Sequence, residues 1–337
     1  MSRGEEDIRE LLRAARSVAD DPALREAVVE STGLTRAGVD LAFARHLELD
    51  ATAADLALLQ ARTRATDAVA VVLSSNVFVG ALRAIAIARA AAPDVVVRPS
   101  RRDPAFARAL VEAVASDRLT LDEALSPESV TRGEIHVYGK DETIADIRTR
   151  AQVPVRGHGA GLGAAWISAA ASLPAAARAL ADDVVVFDQR GCLSPRVVLV
   201  AGDADAFADA LHAELEEHER AVPRGALSTE ERAASGRYIA TMTFACRVLV
   251  GAAHAIGVAP AGSPVVPAPA YRHVHIIACP SLEEAQTTLA PIAKAITTIG
   301  SDDLDAAKRL APSWARTALL GAMQRPPLDG PVDLREG

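Results

Sequence analysis

A cysteine set in a polar loop after an apolar run is the first candidate for chemistry in this chain. The segment Phe187-Asp-Gln-Arg-Gly-Cys-Leu-Ser-Pro195 follows Val184-Val-Val-Phe187, which reads as a buried strand. Open α/β sheets place chemistry at the ends of parallel strands, so Cys192 reads as a nucleophile. The competing reading of a cysteine is a small buried hydrophobe. Cys246, placed mid-helix in Thr241–Ala253, and Cys279, ending an apolar strand, take that reading. Gly159-Ala-Gly161-Leu-Gly-Ala164 satisfies the loose G-x-G-x-x-G/A pattern, between a strand-like Gln152–Val155 and a helix-like Leu162–Ala171. A dinucleotide fingerprint also needs an acid at the end of the next strand. Asp182 and Asp183 fall before that strand, Asp188 falls too late, and Pro174 cuts the helix short. The segment therefore reads as a glycine-rich crossing where backbones approach closely. His273-x-His275 on a strand points two rings to one face. No Cys, Asp or Glu nearby completes a tetrahedral set, so no metal is expected there. His212 and His218 lie on an acidic helix and read as solvated.

The elements that must position these residues are those of an α/β protein. The chain has 337 residues, enough for about two domains. Half of the residues are apolar, which excludes a disordered chain. A net charge of −8 and 3% aromatic residues argue against nucleic acid as a partner. Three dispersed cysteines with no C-x-x-C make no disulfide framework, and a reducing cytosol fits them. Met1–Leu12 is charged and has no apolar signal region. Gly157–Ala177 and Val248–Tyr271 are long and uncharged, but glycines and prolines break both, so no membrane span is expected. The expected location is cytoplasmic.

Residues 5–65 read as helices, with Thr52 as a cap. Strands are predicted at Val69–Leu73, Val95–Val97 and Ile135–Tyr138, with helices ending near Ala92, opening at Asp103-Pro104, and spanning Glu142–Arg150. Further strands are predicted at Val197–Val200 and His273–Ile277, with a helix over Ala206–His218 and another starting at Ser281. Short apolar strands alternating with helices build parallel sheets.

At this point the chain resembles a known family. The Cys192 segment is similar to the nucleophile segment of the LuxC-type acyl-CoA reductases, a branch of the aldehyde dehydrogenase superfamily. Other stretches agree in order. Ser75-Asn76-Val-Phe resembles the turn carrying the superfamily's oxyanion asparagine. Val95-Val-Val-Arg-Pro-Ser100 resembles its Lys-Pro-Ser motif at the adenine ribose. Tyr138-Gly-Lys-Asp-Glu142 resembles the glycine turn under the cofactor phosphates. Gly321-Ala-Met-Gln-Arg-Pro-Pro-Leu328 is similar to the LuxC tail.

The resemblance implies an aldehyde-dehydrogenase-like fold of two Rossmann-like α/β domains with mostly parallel sheets and a helical N-terminal segment. Residues 1–157 would form the N-terminal helices and the nicotinamide-binding domain, 158–330 the catalytic domain, and 331–337 a tail. It implies reduction of an acyl-CoA, a fatty acyl-CoA above all, to the aldehyde through a Cys192 thioester, with the oxyanion held by the Asn76 amide and the Cys192 backbone N–H. Arg98, Ser100, Arg101, Gly139 and Lys140 would bind the cofactor. Arg101 stands where the Lys-Pro-Ser-Glu form of the motif carries a glutamate that repels a 2′-phosphate, so NADPH is the expected cofactor. Aldehyde-oxidising relatives carry a Glu-Leu-Gly-Gly base. The corresponding Arg156-Gly-His-Gly-Ala160 has no carboxylate, which fits a reductase and leaves His158 as a proton carrier or a hinge residue. Val153-Pro-Val155 and His158 also resemble the glutamyl-phosphate reductase branch, so an acyl-phosphate substrate stays open. A non-redox acyltransferase or thioesterase, or an inactive acyl-binding protein, stays open as another class. An acyl-protein synthetase and a second copy of the chain are the protein partners the resemblance allows.

Overall fold

The computed structural model describes residues 3–335. They divide into two compact units. The first takes the described residues up to Ala160, together with Pro327–Pro331 and Arg335; the second takes Gly161–Pro326 and Val332–Leu334.

The first unit opens with α1 (Arg3–Ala19), α2 (Pro22–Thr32), α3 (Arg36–His46) and α4 (Ala53–Arg62). Thr52 starts α4 with a full capping box to Asp55, satisfying two N–H groups that the helix cannot. There follow β1 (Ala68–Val72), α5 (Gly80–Ala91), β2 (Asp94–Arg98), α6 (Ala105–Val114), β3 (Leu119–Leu121), β4 (Glu134–Tyr138), α7 (Asp141–Arg150) and β5 (Val155–His158). The strands form one parallel sheet in the order β3-β2-β1-β4-β5. The order reverses direction between β1 and β4, which makes their carboxyl ends a topological switch point. α5 is apolar on nearly every side and buried, with α1 packed on it. Phe43, Phe78 and Phe106 pack edge to face or tilted, at 5.0–5.9 Å.

The second unit consists of β6 (Leu162–Ile167), α8 (Leu173–Val185), a 3₁₀ turn over 186–189, β7 (Pro195–Val200), α9 (Ala204–Ala221), α10 (Thr229–Ala245), β8 (Arg247–Val250), β9 (Ala255–Ala259), β10 (His273–Ala278), α11 (Leu282–Leu289), β11 (Ile296–Ser301), α12 (Leu304–Leu310) and β12 (Arg316–Leu319). The sheet order is β12-β11-β6-β7-β10-β9-β8, parallel except for β8 against β9. Alternation along the strands divides the core. Ile167, Val198, Val200, Val274 and Ile276 share one cluster with α8 and α9. Trp166, Val197, Leu199, Ile277 and Ile299 share another with α11 and α12. Both faces are covered, which is why these strands read as continuous apolar runs.

Several expectations are corrected. Val184–Phe187 is not a strand: Val184 and Val185 end α8 and the next residues form the 3₁₀ turn. The alanine-rich run behind it favours helix, and full burial against α9 removes the valines' usual preference for a strand. Leu162–Ile167 is a strand rather than the start of a helix. No helix therefore opens behind Gly159-Ala-Gly161, and the dinucleotide fingerprint is absent there. Cys246 is the C-cap of α10, not a mid-helix residue. The expected boundary at 157/158 moves to 160/161, so His158 belongs to the first unit. Residues 327–331 return to that unit because buried Arg83 donates to Pro327 O and Gly330 O, and Arg62 pairs with Asp329 at 2.7 Å. Within the described residues, no helix is long and apolar enough to cross a membrane.

Candidate active site

Cys192 sits on the short turn between the 3₁₀ segment and β7, partly exposed. β6, β7, β10 and β11 are parallel, so Leu162, Pro195, His273 and Ile296 begin them along one amino edge. Cys192 lies before a strand at that edge, not at the carboxyl end the sequence implied. The turn is built from unusual backbone. Phe187, Asp188 and Gln189 have φ of 53°, 49° and 61°, and Tyr271 and Arg272, entering β10, have 77° and 69°. Each such non-glycine conformation costs about 1–3 kcal/mol and persists only where its surroundings over-determine it.

The surroundings do. Tyr271 N–H donates to Asp188 O at 3.0 Å, joining the two strained turns. Arg272 Nε and Nη2 both donate to Asp188 Oδ1, at 3.2 and 2.8 Å, and Gly225 N–H donates to Asp188 Oδ2 at 3.0 Å. Arg272 Nη1 reaches Glu219 and Val222 O. Gln189, fully buried, donates to Pro195 O at 2.7 Å and His273 O at 2.8 Å and accepts from His273 N–H at 2.9 Å. Its amide thus ties the starts of β7 and β10 together. Thr297 Oγ1 donates to Cys192 O itself. β6 passes close beneath: a Cβ on Gly163 would meet Leu193 O at 2.4 Å, so only glycine allows the approach.

The side chains facing this turn were missed in the sequence. Burial pulls the Arg196 guanidinium below its ordinary pKa, while Tyr271 and Cys192 act in the opposite direction, favouring its charged form. The attraction between that cation and negative charge on Cys192 is mutual. Tyr271 donates to Glu231, and burial and this bond keep its phenol neutral. Arg190 lies over the Tyr271 ring at 5.5 Å.

In the first unit, the expected site residues share the carboxyl edge of the sheet. Asn76 follows β1 and is exposed; α5 starts only at Gly80, with Val79 as its N-cap and no side-chain cap bond. Asn76 therefore does not cap that helix. Arg98 ends β2 and donates to Leu125 O at 2.8 Å. Burial, then the Arg101 and Arg150 cations, lower its pKa, which marks a locally positive spot. Ser100 Oγ accepts from Arg102 N–H, and Arg101 and Arg102 are exposed. Asp103 turns inward and accepts from Ser31. Gly139 and Lys140 follow β4, and Lys140 is the N-cap of α7 with no side-chain cap bond. Neither a positive φ nor a close neighbour requires glycine at 139, where the nearest side-chain atom to an added Cβ is 3.8 Å away. His158 ends β5 and stacks on Tyr138, ring centroids 4.5 Å apart and 16° from parallel. Its flanking glycines have a packing cause: a Cβ at 157 would meet Ile144 at 2.5 Å, and one at 159 would meet Asp141 at 2.1 Å.

The strand histidines have structural partners. His273 Nε2 and Ser235 Oγ are 2.9 Å apart, and His275 Nδ1 accepts from Val266 N–H at 3.0 Å. Burial pushes both down to about 4, against about 6.5 unfolded. The unfolded chain then binds more protons between those values, so the stabilisation is full above pH 6.5 and is lost as pH falls toward 4. Each contributes on the order of 3 kcal/mol to that loss. Urea midpoints measured from pH 7.5 to 4.5 should fall steeply, and His275→Asn, whose Oδ1 keeps the bond from Val266, should flatten the slope. An unchanged slope rejects the assignment.

The acyl-CoA reductase (LuxC) family model matches residues 60–325. No curated protein matches the chain. Solved structures share the fold. An NAD-dependent aldehyde dehydrogenase from Sinorhizobium meliloti aligns with TM-score 0.70 at 16% identity, over 95% of this chain and 75% of that one. An NAD-dependent benzaldehyde dehydrogenase from Corynebacterium glutamicum aligns with TM-score 0.72 at 14% identity, over 95% and 82%. An acetylating aldehyde dehydrogenase from Geobacillus thermoglucosidasius aligns with TM-score 0.63 at 15% identity, over 96% and 83%. At such identities the likeness concerns the fold alone.

Proposed function

The chain belongs to the acyl-CoA reductase (LuxC) family, and on that premise we propose that it reduces an acyl-CoA to the aldehyde through a thioester on Cys192, with NADPH as reductant. As a member of that family it is an oxidoreductase acting on aldehyde or acyl groups with a nicotinamide cofactor. The observation that carries the finer reading is the setting of Cys192. It stands on an over-determined turn within the electrostatic reach of the Arg196 cation, as an activated thiol requires.

The Cys192 thiolate attacks the acyl carbonyl, the carbon–sulfur bond to CoA breaks, and CoA leaves as its thiolate. The Cys192 backbone N–H and the Asn76 amide are the proposed donors to the oxyanion. The cofactor, when bound, supplies hydride to the thioester carbon. Cys192 then departs as thiolate and the aldehyde is released. His158, its ring fixed against Tyr138, is the proposed proton carrier, and no carboxylate stands in its segment to activate water.

Cofactor binding is assigned to Arg98, Ser100, Arg101, Gly139 and Lys140. They flank the switch point of a parallel sheet, where α/β folds bind dinucleotides. Asp141 and Glu142 make the first turn of α7 acidic, so the Lys140 ammonium, rather than that helix end, is the phosphate contact. The β2 loop presents Arg101 and Arg102, while its carboxylate, Asp103, faces Ser31. A loop without an available acid and with two arginines suits a 2′-phosphate. Arg101→Glu should lower the NADPH-over-NADH ratio of kcat/KM by about tenfold to a hundredfold. A wild-type preference for NADH, or a ratio unmoved by the glutamate, would remove NADPH from the proposal. The overall reading is tested by supplying acyl-CoAs of several lengths and following NADPH absorbance alongside CoA release. Release without cofactor oxidation would make the protein a transferase or thioesterase.

A further inference from the structure

Away from the nucleophile turn, three metal-competent side chains of the second unit converge. His212 and Glu216, four residues apart, lie on one face of α9, and the turn between β8 and β9 brings His254 against them. His212 Nδ1 and His254 Nε2 face each other at 2.9 Å. Glu216 Oε1 lies 3.9 Å from His254 Nδ1 and accepts from Ala252 N–H at 2.9 Å. One ligand atom from each residue lies within 4.8 Å of the other two. The reading of His212 as a solvated surface residue is thereby corrected; His218, which shared it, pairs with Asp182 at 3.0 Å. We propose that His212, Glu216 and His254 form a binding site for a divalent zinc-class ion, held by two imidazoles and a carboxylate with water completing the set.

The donor set and its surroundings carry this reading. Two ring nitrogens pointing at one another share a single proton. Turning His212 to its Nε2–H tautomer leaves lone pairs on both facing nitrogens, while His254 Nδ1–H points toward Glu216. No proton need leave the site. Zinc–nitrogen bonds of about 2.0–2.1 Å in a tetrahedron set neighbouring ligand atoms about 3.3 Å apart, so the pair opens by roughly 0.4 Å. His254 is buried, whereas His212 and Glu216 are partly exposed, which gives the ion a fixed ligand behind and an entry from solvent. Two nitrogens and one oxygen suit zinc or cobalt(II); magnesium and calcium prefer oxygen donors. Gly251 also fits. A Cβ there would stand 2.2 Å from both Glu216 Oε1 and His254 Cε1, so glycine lets the chain pass two of the ligands at this distance. Neither His273 nor His275 is needed, since each has its own partner.

The triad could instead serve only as a hydrogen-bonded link between α9 and the β8–β9 turn, and the experiment separates the two. Protein without a histidine tag is stripped with chelator and titrated with cobalt(II). The wild type should take up about one ion per chain with the visible bands of a four-coordinate site and no sulfur-to-cobalt charge-transfer band, and zinc should displace it. His212→Ala and Glu216→Ala, each checked for folding by circular dichroism, should weaken uptake by about tenfold or more. No uptake by the wild type leaves only the structural link and overturns the proposal. Equal uptake by both variants, or a charge-transfer band pointing to the cysteines, overturns it as well. No activity is measured, so the outcome does not depend on the reductase reading.

Discussion

Cys192→Ala should abolish both acyl-enzyme formation and aldehyde production, with turnover falling by at least about 10⁴, as when other enzymes lose a nucleophile. Cys246→Ala and Cys279→Ala should retain both. The three thiols differ in their surroundings. Burial pushes the Cys246 and Cys279 thiols up, away from the reactive thiolate. Cys279 is almost fully buried and donates to Ser281 O at 3.5 Å, while Cys246 leans on the Met242 sulfur at 3.7 Å. Cys192 alone among them is coupled to a cation, Arg196. Intact-mass measurement after incubation with an acyl-CoA, followed by peptide mapping, reads the result. An adduct on Cys246 or Cys279, or aldehyde formed by Cys192→Ala, would overturn the assignment.

Arg272→Met should cost about 3–5 kcal/mol, because it leaves the buried Asp188 carboxylate with no closer cation than Arg190, 3.9 Å away. That is a large part of the 5–15 kcal/mol typical of a folded chain. Arg272 and Asp188 are 2% exposed each, so solvent cannot replace the lost partner. Asp188→Asn together with Arg272→Met should recover part of the loss. The asparagine removes the orphaned charge and tolerates the positive φ at 188. Urea unfolding gives the energies, and single-turnover acylation of the folded variants tests the turn. If the turn positions Cys192, acylation slows in Arg272→Met well beyond the unfolded fraction. A loss under about 1 kcal/mol would show that the pair is not the anchor.

The same pair explains what the sequence did and did not make legible. β1, β2, β4 and the helices between them were readable because each is a short apolar run with its turn residues beside it. Val184–Phe187 misled because an apolar run buried on every side has no period to betray helix or strand. Cys192 stood out through its local segment. Its supports did not: Asp188 and Arg272 are 84 residues apart, and His212 and His254 are 42 apart. Nothing local in an arginine before a strand announces a carboxylate in another turn. The glycine-rich run from Gly159 reads as a place of close approach, and Asp141 and Leu193 O are the atoms that Gly159 and Gly163 approach.

The return of residues 327–331 to the first unit has a consequence for biosynthesis. Arg83 leaves the ribosome early, pairs with Glu48 at 2.9 Å, and needs the carbonyls of Pro327 and Gly330 to complete its donors. Those acceptors lie 244 and 247 residues downstream, which is on the order of 10–50 s of translation at roughly 5–20 residues per second. Through that interval the nascent first unit holds a guanidinium that water or a chaperone must serve. Its last native contacts form only after Gly161–Pro326 of the second unit has been synthesised, even though nearly all of the first unit emerges before it.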